Sequence, residues 1–260
     1  MNILVCNDDG IEAEGLRILA EVLARKHLVT VAAPDIEKSG VSHSLTFYTH
    51  ISYEKIDFPG AVNTASGLPA YKIYGTPADC VKFAVGNIMK FKPDIVVSGI
   101  NRGPNIGTDI MYSGTVAAAF EAAYLGFRAI AVSVRKIGKD DTELYTRAAE
   151  FVAERLETFA SLDMPHSSVI NINYPDVPRE GLKGFKITAA GYQDYSDVYI
   201  PDRVHAGRYW LRGEPLPEKH KHNEDDCDVE WIKQGYVTIT PVTFDTTDYK
   251  TLKKMRDIKL

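Results

Sequence analysis

The chain has 260 residues, 45% hydrophobic and 25% charged, the balance of a folded globular protein and not of a disordered or fibrous one. Thirty basic and thirty-five acidic side chains give a formal charge of −5, without the concentrated positive field that polymeric nucleic acid requires of a partner. Cys6, Cys80 and Cys227 are scattered and form no CxxC pair, which excludes a disulfide framework or a zinc ribbon and suits a reducing cytoplasm.

Met1 leads directly into Ile3-Leu4-Val5-Cys6 with no basic leader, so neither secretion nor membrane insertion is expected. No apolar run approaches the roughly 18 residues of a membrane span. Residues 3–6 and 28–33 are short unbroken apolar runs, as are 95–97, 129–134 and 169–172. Such runs are what strands buried on both faces of a parallel sheet need. Between them Leu16, Leu19, Ala20 and Leu23 repeat at helical spacing, as do Val81, Ala84, Val85 and Ile88. Val116, Ala119, Phe120 and Ala123 do the same, and Ala148, Phe151, Val152, Leu156 and Phe159 mark a further amphipathic helix. The alternation predicts a doubly wound, mostly parallel α/β sheet of Rossmann-like type over residues 1–182. After Pro175 the texture changes. Residues 183–260 read as a β-rich extension, with short strands at 185–188 and 236–240, aromatic and charged loops, and a last helix around 248–258.

Three segments carry candidate chemistry. Asn7-Asp8-Asp9-Gly10 follows the first strand, and two adjacent carboxylates there need a cation or several donors to compensate them. Gly10 lets the chain turn, so both side chains can reach one point, and a single divalent ion is the economical explanation. The competing reading makes Asp9 a cap for a helix starting near Ile11 and leaves Asp8 in solvent. The loop from Pro34 to Ser44 follows the second strand and lies on the same sheet edge, where open α/β sheets bind ligands. The third segment runs from Ser98 to Thr115 and contains Gly99, Gly103, Gly107 and Gly114. Ser113 is a natural N-cap, and the amides of the turn after it favour a bound anion such as phosphate. Neither GxxxxGK[ST] nor GxGxxG occurs here. Hard-cation ligands beside an anion cradle suit metal-assisted attack of water on a phosphate ester.

These blocks, with Gly75-Thr76-Pro77-Ala78-Asp79-Cys80-Val81 and Gly235-Tyr236-Val237-Thr238-Ile239-Thr240-Pro241, occur in an order that resembles the SurE family of survival-protein nucleotidases. The resemblance implies a metal-dependent 5′-nucleotidase that hydrolyses nucleoside 5′- and 3′-monophosphates and, in some members, short polyphosphate. It makes Asp8, Asp9, Ser39 and Asn101 ligands of one Mg²⁺ or Mn²⁺ per subunit, and it places Asn105, Ser113, Gly114 and Thr115 around the phosphate. Asp8 and Asp9 are then the catalytic pair, with Asp9 expected to orient or deprotonate the attacking water. The resemblance also implies a homodimer or homotetramer that exchanges C-terminal extensions, built from a β-hairpin arm, a returning strand and a terminal helix. Lys38 and Trp231 depart from the family pattern.

Two rivals are kept. A haloacid-dehalogenase-like phosphatase needs Asp-x-Asp, whereas position 10 is Gly. A non-catalytic nucleotide sensor would use the same cradle without cutting. His220 and His222 read as a solvated loop, His43 as a loop hydrogen-bonding residue, Tyr192, Tyr195 and Tyr199 as subunit-contact aromatics, and Asn171 and Asn173 as satisfied strand-end groups.

Overall fold

The computed structural model describes residues 1–58, 68–135, 142–216 and 226–258. His220 and His222 lie outside the described residues. The five predicted strands form as β1 (Asn2–Cys6), β2 (Leu28–Pro34), β5 (Ile95–Arg102), β6 (Arg128–Arg135) and β7 (Ser168–Pro175). Between β2 and β5 lie β3 (Tyr53–Asp57) and β4 (Pro69–Ile73). The sheet order is β3-β4-β2-β1-β5-β6-β7, continued by β11 (Val237–Thr243) and β8 (Phe185–Ile187). From β4 to β7 every neighbouring pair is parallel. β3 is an antiparallel edge strand with a mostly exposed, charged face, which hides it from a search for apolar runs.

The double winding follows from alternation along the buried strands. Ile3 and Val5 join a core with Leu16 and Leu19 of α1 (Glu14–Ala24) and Val152 and Leu156 of α4 (Thr142–Ser161). Leu4 and Cys6 face the other way. They pack with Cys80 and Val81 of α2 (Pro77–Phe83) and Val116 and Ala119 of α3 (Gly114–Tyr124). A strand with both faces covered must be apolar throughout, which is why β1 reads as an unbroken run. α2 is shorter than the predicted periodicity, because its last part, Ala84–Ile88, opens into a wider turn.

The C-terminal residues divide. β11 pairs antiparallel with β7, and β8 joins β11, so these strands extend the main sheet. α5 (Asp228–Lys233) packs under them, with Trp231 edge-on to Tyr236 and capped by Lys186 at 4.4 Å. The strands β9 (Val198–Pro201) and β10 (Tyr209–Arg212) form a separate hairpin with no buried residue. α6 (Tyr249–Arg256) likewise buries none.

Candidate functional site at the sheet's switch point

The order of strands reverses at β1: β2 and β4 lie to one side, β5 and β6 to the other. The crevice beyond the carboxyl ends of β1 and β5 is therefore the topological switch point, where open α/β sheets take their ligands. Asn7–Gly10 leaves β1 there, and the glycine-rich segment leaves β5 there. Gly10 turns the chain at φ +99°, a conformation that L side chains rarely adopt. The Asn7 amide donates to Gly10 O at 2.9 Å and locks that turn.

Asp8 is buried and sits against the first turn of α3. The Thr115 hydroxyl donates to its Oδ1, and a Cβ on Gly114 would lie 2.8 Å from Asp8 Cβ. Only glycine lets the helix start approach this closely. Burial raises the Asp8 carboxyl above its ordinary range, although bonds from Thr115 oppose the rise. Asp9 is half-buried, and its carboxyl is pushed up to about 7, first by burial and then by the charge of Asp8. The Arg102 backbone N–H donates to Asp9 Oδ2 at 3.2 Å. Asp9 does not cap a helix: α1 begins at Glu14 after Ala13, with no side-chain cap. Ser113 is the N-cap of α3, its Oγ accepting from Val116 N at 3.1 Å.

The remaining predicted residues fall around this centre with different degrees of commitment. Lys38 N donates to Asp8 O at 2.8 Å, which ties the 37–39 turn to the end of β1. Exposed Ser39 donates its hydroxyl to Glu37 at 2.5 Å. Asn101 donates Nδ2 to Gly103 O at 2.8 Å, so Oδ1 is its atom suited to a cation. Asn105 is built into a polar core. Its Nδ2 donates to Ser133 Oγ and its backbone N–H to Asn173 Oδ1, both at 2.8 Å, while Asn171 and Asn173 donate to its carbonyl. Asn171 and Asn173 are fully buried and do more than end a strand: they hold the loop that carries Asn105. Their alternation with Ile170 and Ile172 was the available signal, two amides at buried positions of an apolar strand.

Sequence reasoning assigned no task to Gly75–Val81. The structure uses it to clasp the Ser39–Thr46 loop. Buried Asp79 accepts from the backbone and hydroxyl of Thr46 and from Thr76 N, and the Thr76 hydroxyl donates to Ser44 O at 2.7 Å. His43 bonds through Nε2 to Glu121 at 2.9 Å, and Lys82 reaches the other oxygen of Glu121 at 2.7 Å. Burial raises the Glu121 carboxyl, but the His43 and Lys82 bonds more than offset it and hold it below its usual range. Glu121 lies two turns beyond Ser113 on α3, so His43 anchors the loop to the body of that helix.

Among the described residues, no group of three or more His, Cys, Asp and Glu side chains is placed to hold a metal ion. The donors at the switch point are two carboxylates, an amide and a hydroxyl, an oxygen-only set suited to a hard cation. Two neighbouring acids held above their ordinary range are the electrostatic situation that a divalent ion relieves. A cavity of about 160 Å³ opens beside Asp9, lined also by Glu14, Glu37, Arg102 and Tyr145. A cavity of about 730 Å³ lies at the amino ends of β2 and β4, away from these groups.

Fold and site together define a doubly wound α/β protein whose switch-point crevice pairs an acidic turn with a helix N-terminus. A model of the family described as survival protein SurE matches residues 3–197, three quarters of the chain. The chain belongs to this family. It is 39% identical over 263 residues to a protein of Alkaliphilus metalliredigens named 5′-nucleotidase SurE, covering 100% of this chain and 99% of that one. It is 40% identical over 260 residues to one of the same name from Carboxydothermus hydrogenoformans, covering 98% and 95%. The crystal structure of the SurE protein from Aquifex aeolicus is similar at a TM-score of 0.80 and 34% identity, over 98% of each chain.

Proposed function

We propose that the chain is a 5′-nucleotidase, a phosphomonoesterase that converts a nucleoside 5′-monophosphate and water to nucleoside and phosphate. Full-length similarity to relatives of that name supports the reaction class. The observation that carries it here is the contact of Asp8 with the first turn of α3, which sets an acid pair against an anion-favouring helix start. Under this reading Asp8, Asp9, Ser39 and Asn101 hold one Mg²⁺ or Mn²⁺ per subunit. Such an ion, when bound, neutralises charge on a phosphoryl oxygen and favours deprotonation of the attacking water.

The chain's own groups supply the rest. The hydroxyl and amides around Ser113, Gly114 and Thr115, with Asn105, hold the phosphate oxygens. Asp9 orients the water and accepts its proton. The same site takes 3′-monophosphates and short polyphosphate as further substrates. Cys6, Cys80 and Cys227 are buried and form no disulfide, which supports a reducing, cytoplasmic setting, and no helix among the described residues is long and apolar enough to cross a membrane. The exposed β9–β10 hairpin supports assembly into a homodimer or homotetramer through the C-terminal extension.

The test is phosphate release from a panel of nucleoside monophosphates by EDTA-treated protein, with and without added Mn²⁺. Release that depends on the added ion is expected. Equal release from stripped and replenished protein removes the ion from the reaction. Binding of AMP with no release under either condition makes the chain a sensor.

A further inference from the structure

The glycine-rich segment is held from behind by the C-terminal extension. Fully buried Asp228, at the start of α5, accepts the backbone N–H of Gly107 at 3.0 Å with one carboxylate oxygen and that of Gly191 at 2.8 Å with the other. The Thr108 hydroxyl donates to Gln193 O at 2.7 Å, and the Tyr195 hydroxyl donates to Asp109 at 2.6 Å. Ile106 packs with Cys227, Val229 and Ile232 in a small apolar cluster of its own. The approach is too tight for side chains: a Cβ on Gly107 would stand 2.9 Å from Gly191 O, and one on Gly191 would stand 2.8 Å from Cys227 Sγ.

Four consecutive residues, Ile106 to Asp109, are thus fixed by groups more than eighty positions away in sequence. They lie directly between Asn105 and the Tyr112–Ser113 entry to α3. On the other side, the segment 191–195 runs into the root of the hairpin, where Ser196 N donates to Glu214 O and Leu216 N to Asp194 O. A carboxylate buried with both oxygens satisfied by backbone amides is a rigid tie, because either amide would be left unpaired if it let go.

We propose that Asp228 and Tyr195 are positioning residues of the phosphate site, which fasten the 106–109 turn to the root of the hairpin and so set the spacing between Asn105 and the start of α3. This rests on reading Ser113 to Thr115 as the phosphate cradle. The C-terminal extension is then part of the machinery that grips phosphate.

The test compares Tyr195→Phe, Asp228→Asn and Ser113→Ala in the full-length protein, reading KM and kcat for AMP, competitive inhibition by inorganic phosphate, and Tm. Tyr195→Phe removes one hydroxyl at a half-exposed position and keeps the ring, so the fold and Tm are retained. The expected result is a rise of roughly 3- to 10-fold in KM and in the phosphate inhibition constant, the size of one lost hydrogen bond, with kcat changed less than about twofold. Asp228→Asn moves the same constants further in the same direction. A purely structural tie predicts a lower Tm and a smaller active fraction, hence lower kcat at constant KM. That pattern, or an unchanged inhibition constant in Tyr195→Phe, overturns the proposal. If Ser113→Ala also leaves phosphate inhibition unchanged, the cradle reading falls and this proposal with it. If Ser113→Ala weakens inhibition and the other two do not, the tie alone is wrong.

Discussion

The turn after β1 and the β9–β10 hairpin break the rule of burial in opposite senses. At the first, charge is taken out of water: Asp8 is 6% exposed, and Asp9 is pressed against it. At the second, apolar surface is left in water: Tyr199 is 73% exposed and Trp210 58%. Buried charge is costly unless something compensates it, so it persists where chemistry needs it. Exposed large apolar groups are costly to solubility and mark a contact surface. One violation points to a small ligand and the other to a macromolecular neighbour.

The largest expected effect breaks the first region. Asp9→Asn keeps the size of the side chain and removes its charge and basicity, so turnover falls by about 10²–10⁴-fold with the fold retained, measured by phosphate release and circular dichroism. Its stability follows the sign of the carboxyl shift. In the metal-free protein the Asp9 carboxyl holds its proton up to about 7, whereas in the unfolded chain it releases it near 3.8. Between those limits the native state binds more protons, so stability falls as pH rises and the loss is complete above the folded value. Metal-free Asp9→Asn is accordingly more stable than the parent at pH 8 and no more stable at pH 4. Thermal melts across that range check this, with Asp8, also raised, retaining part of the slope.

A smaller and more pointed change sharpens the same comparison. In Gly114→Ala the added methyl would lie 2.8 Å from Asp8 Cβ and 2.9 Å from its Oδ2. Either the helix start or the carboxylate must move. The expected cost is roughly 1–3 kcal/mol of stability and, through misplacement of the acid pair, about tenfold or more in kcat/KM. Wild-type kinetics in this variant would show that the contact between Asp8 and α3 has no part in turnover.

How far the sequence reveals these regions depends on whether their partners are near or far along the chain. Strand β1 and the helix cap at Ser113 were legible because their physics is local: an apolar run, and a hydroxyl before three amides. The acidic turn was legible because two adjacent carboxylates are conspicuous in themselves. Strands β3 and β4 were not, since Tyr53–Asp57 is almost wholly exposed and Pro69–Ile73 buries only Ala70 and Ile73, so neither offers an apolar run. Nor were the partners of Asp79, Glu121 and Asp228, each an acid whose meaning comes from groups 33 to 121 positions distant. Tyr195 reads as an aromatic for packing, yet its hydroxyl bond to Asp109 ties it to the glycine-rich segment. That bond depends on a juxtaposition which only the tertiary fold creates.

The last prediction concerns the hairpin, where the effect on the single chain is smallest. A two-stranded ribbon is marginal in water by itself, and here Trp210 pairs across from Ile200 and Leu211 from Tyr199, with every one of the four exposed. If a second copy covers this face, replacing an aromatic anchor removes association but leaves the core sheet intact, because Trp210 belongs to none of the hydrophobic clusters of the core. Trp210→Ser is therefore expected to shift the sedimentation coefficient toward the monomer while folding stability moves by less than about 0.5 kcal/mol, the range of surface substitutions. An unchanged sedimentation profile would remove the hairpin from the proposed assembly and direct the search to the end of the chain, where Tyr249 and Met255 of α6 and Ile258 beyond it are also exposed. A large stability loss would mean that the hairpin is held to its own chain by more than its root at residues 194–196 and 214–216.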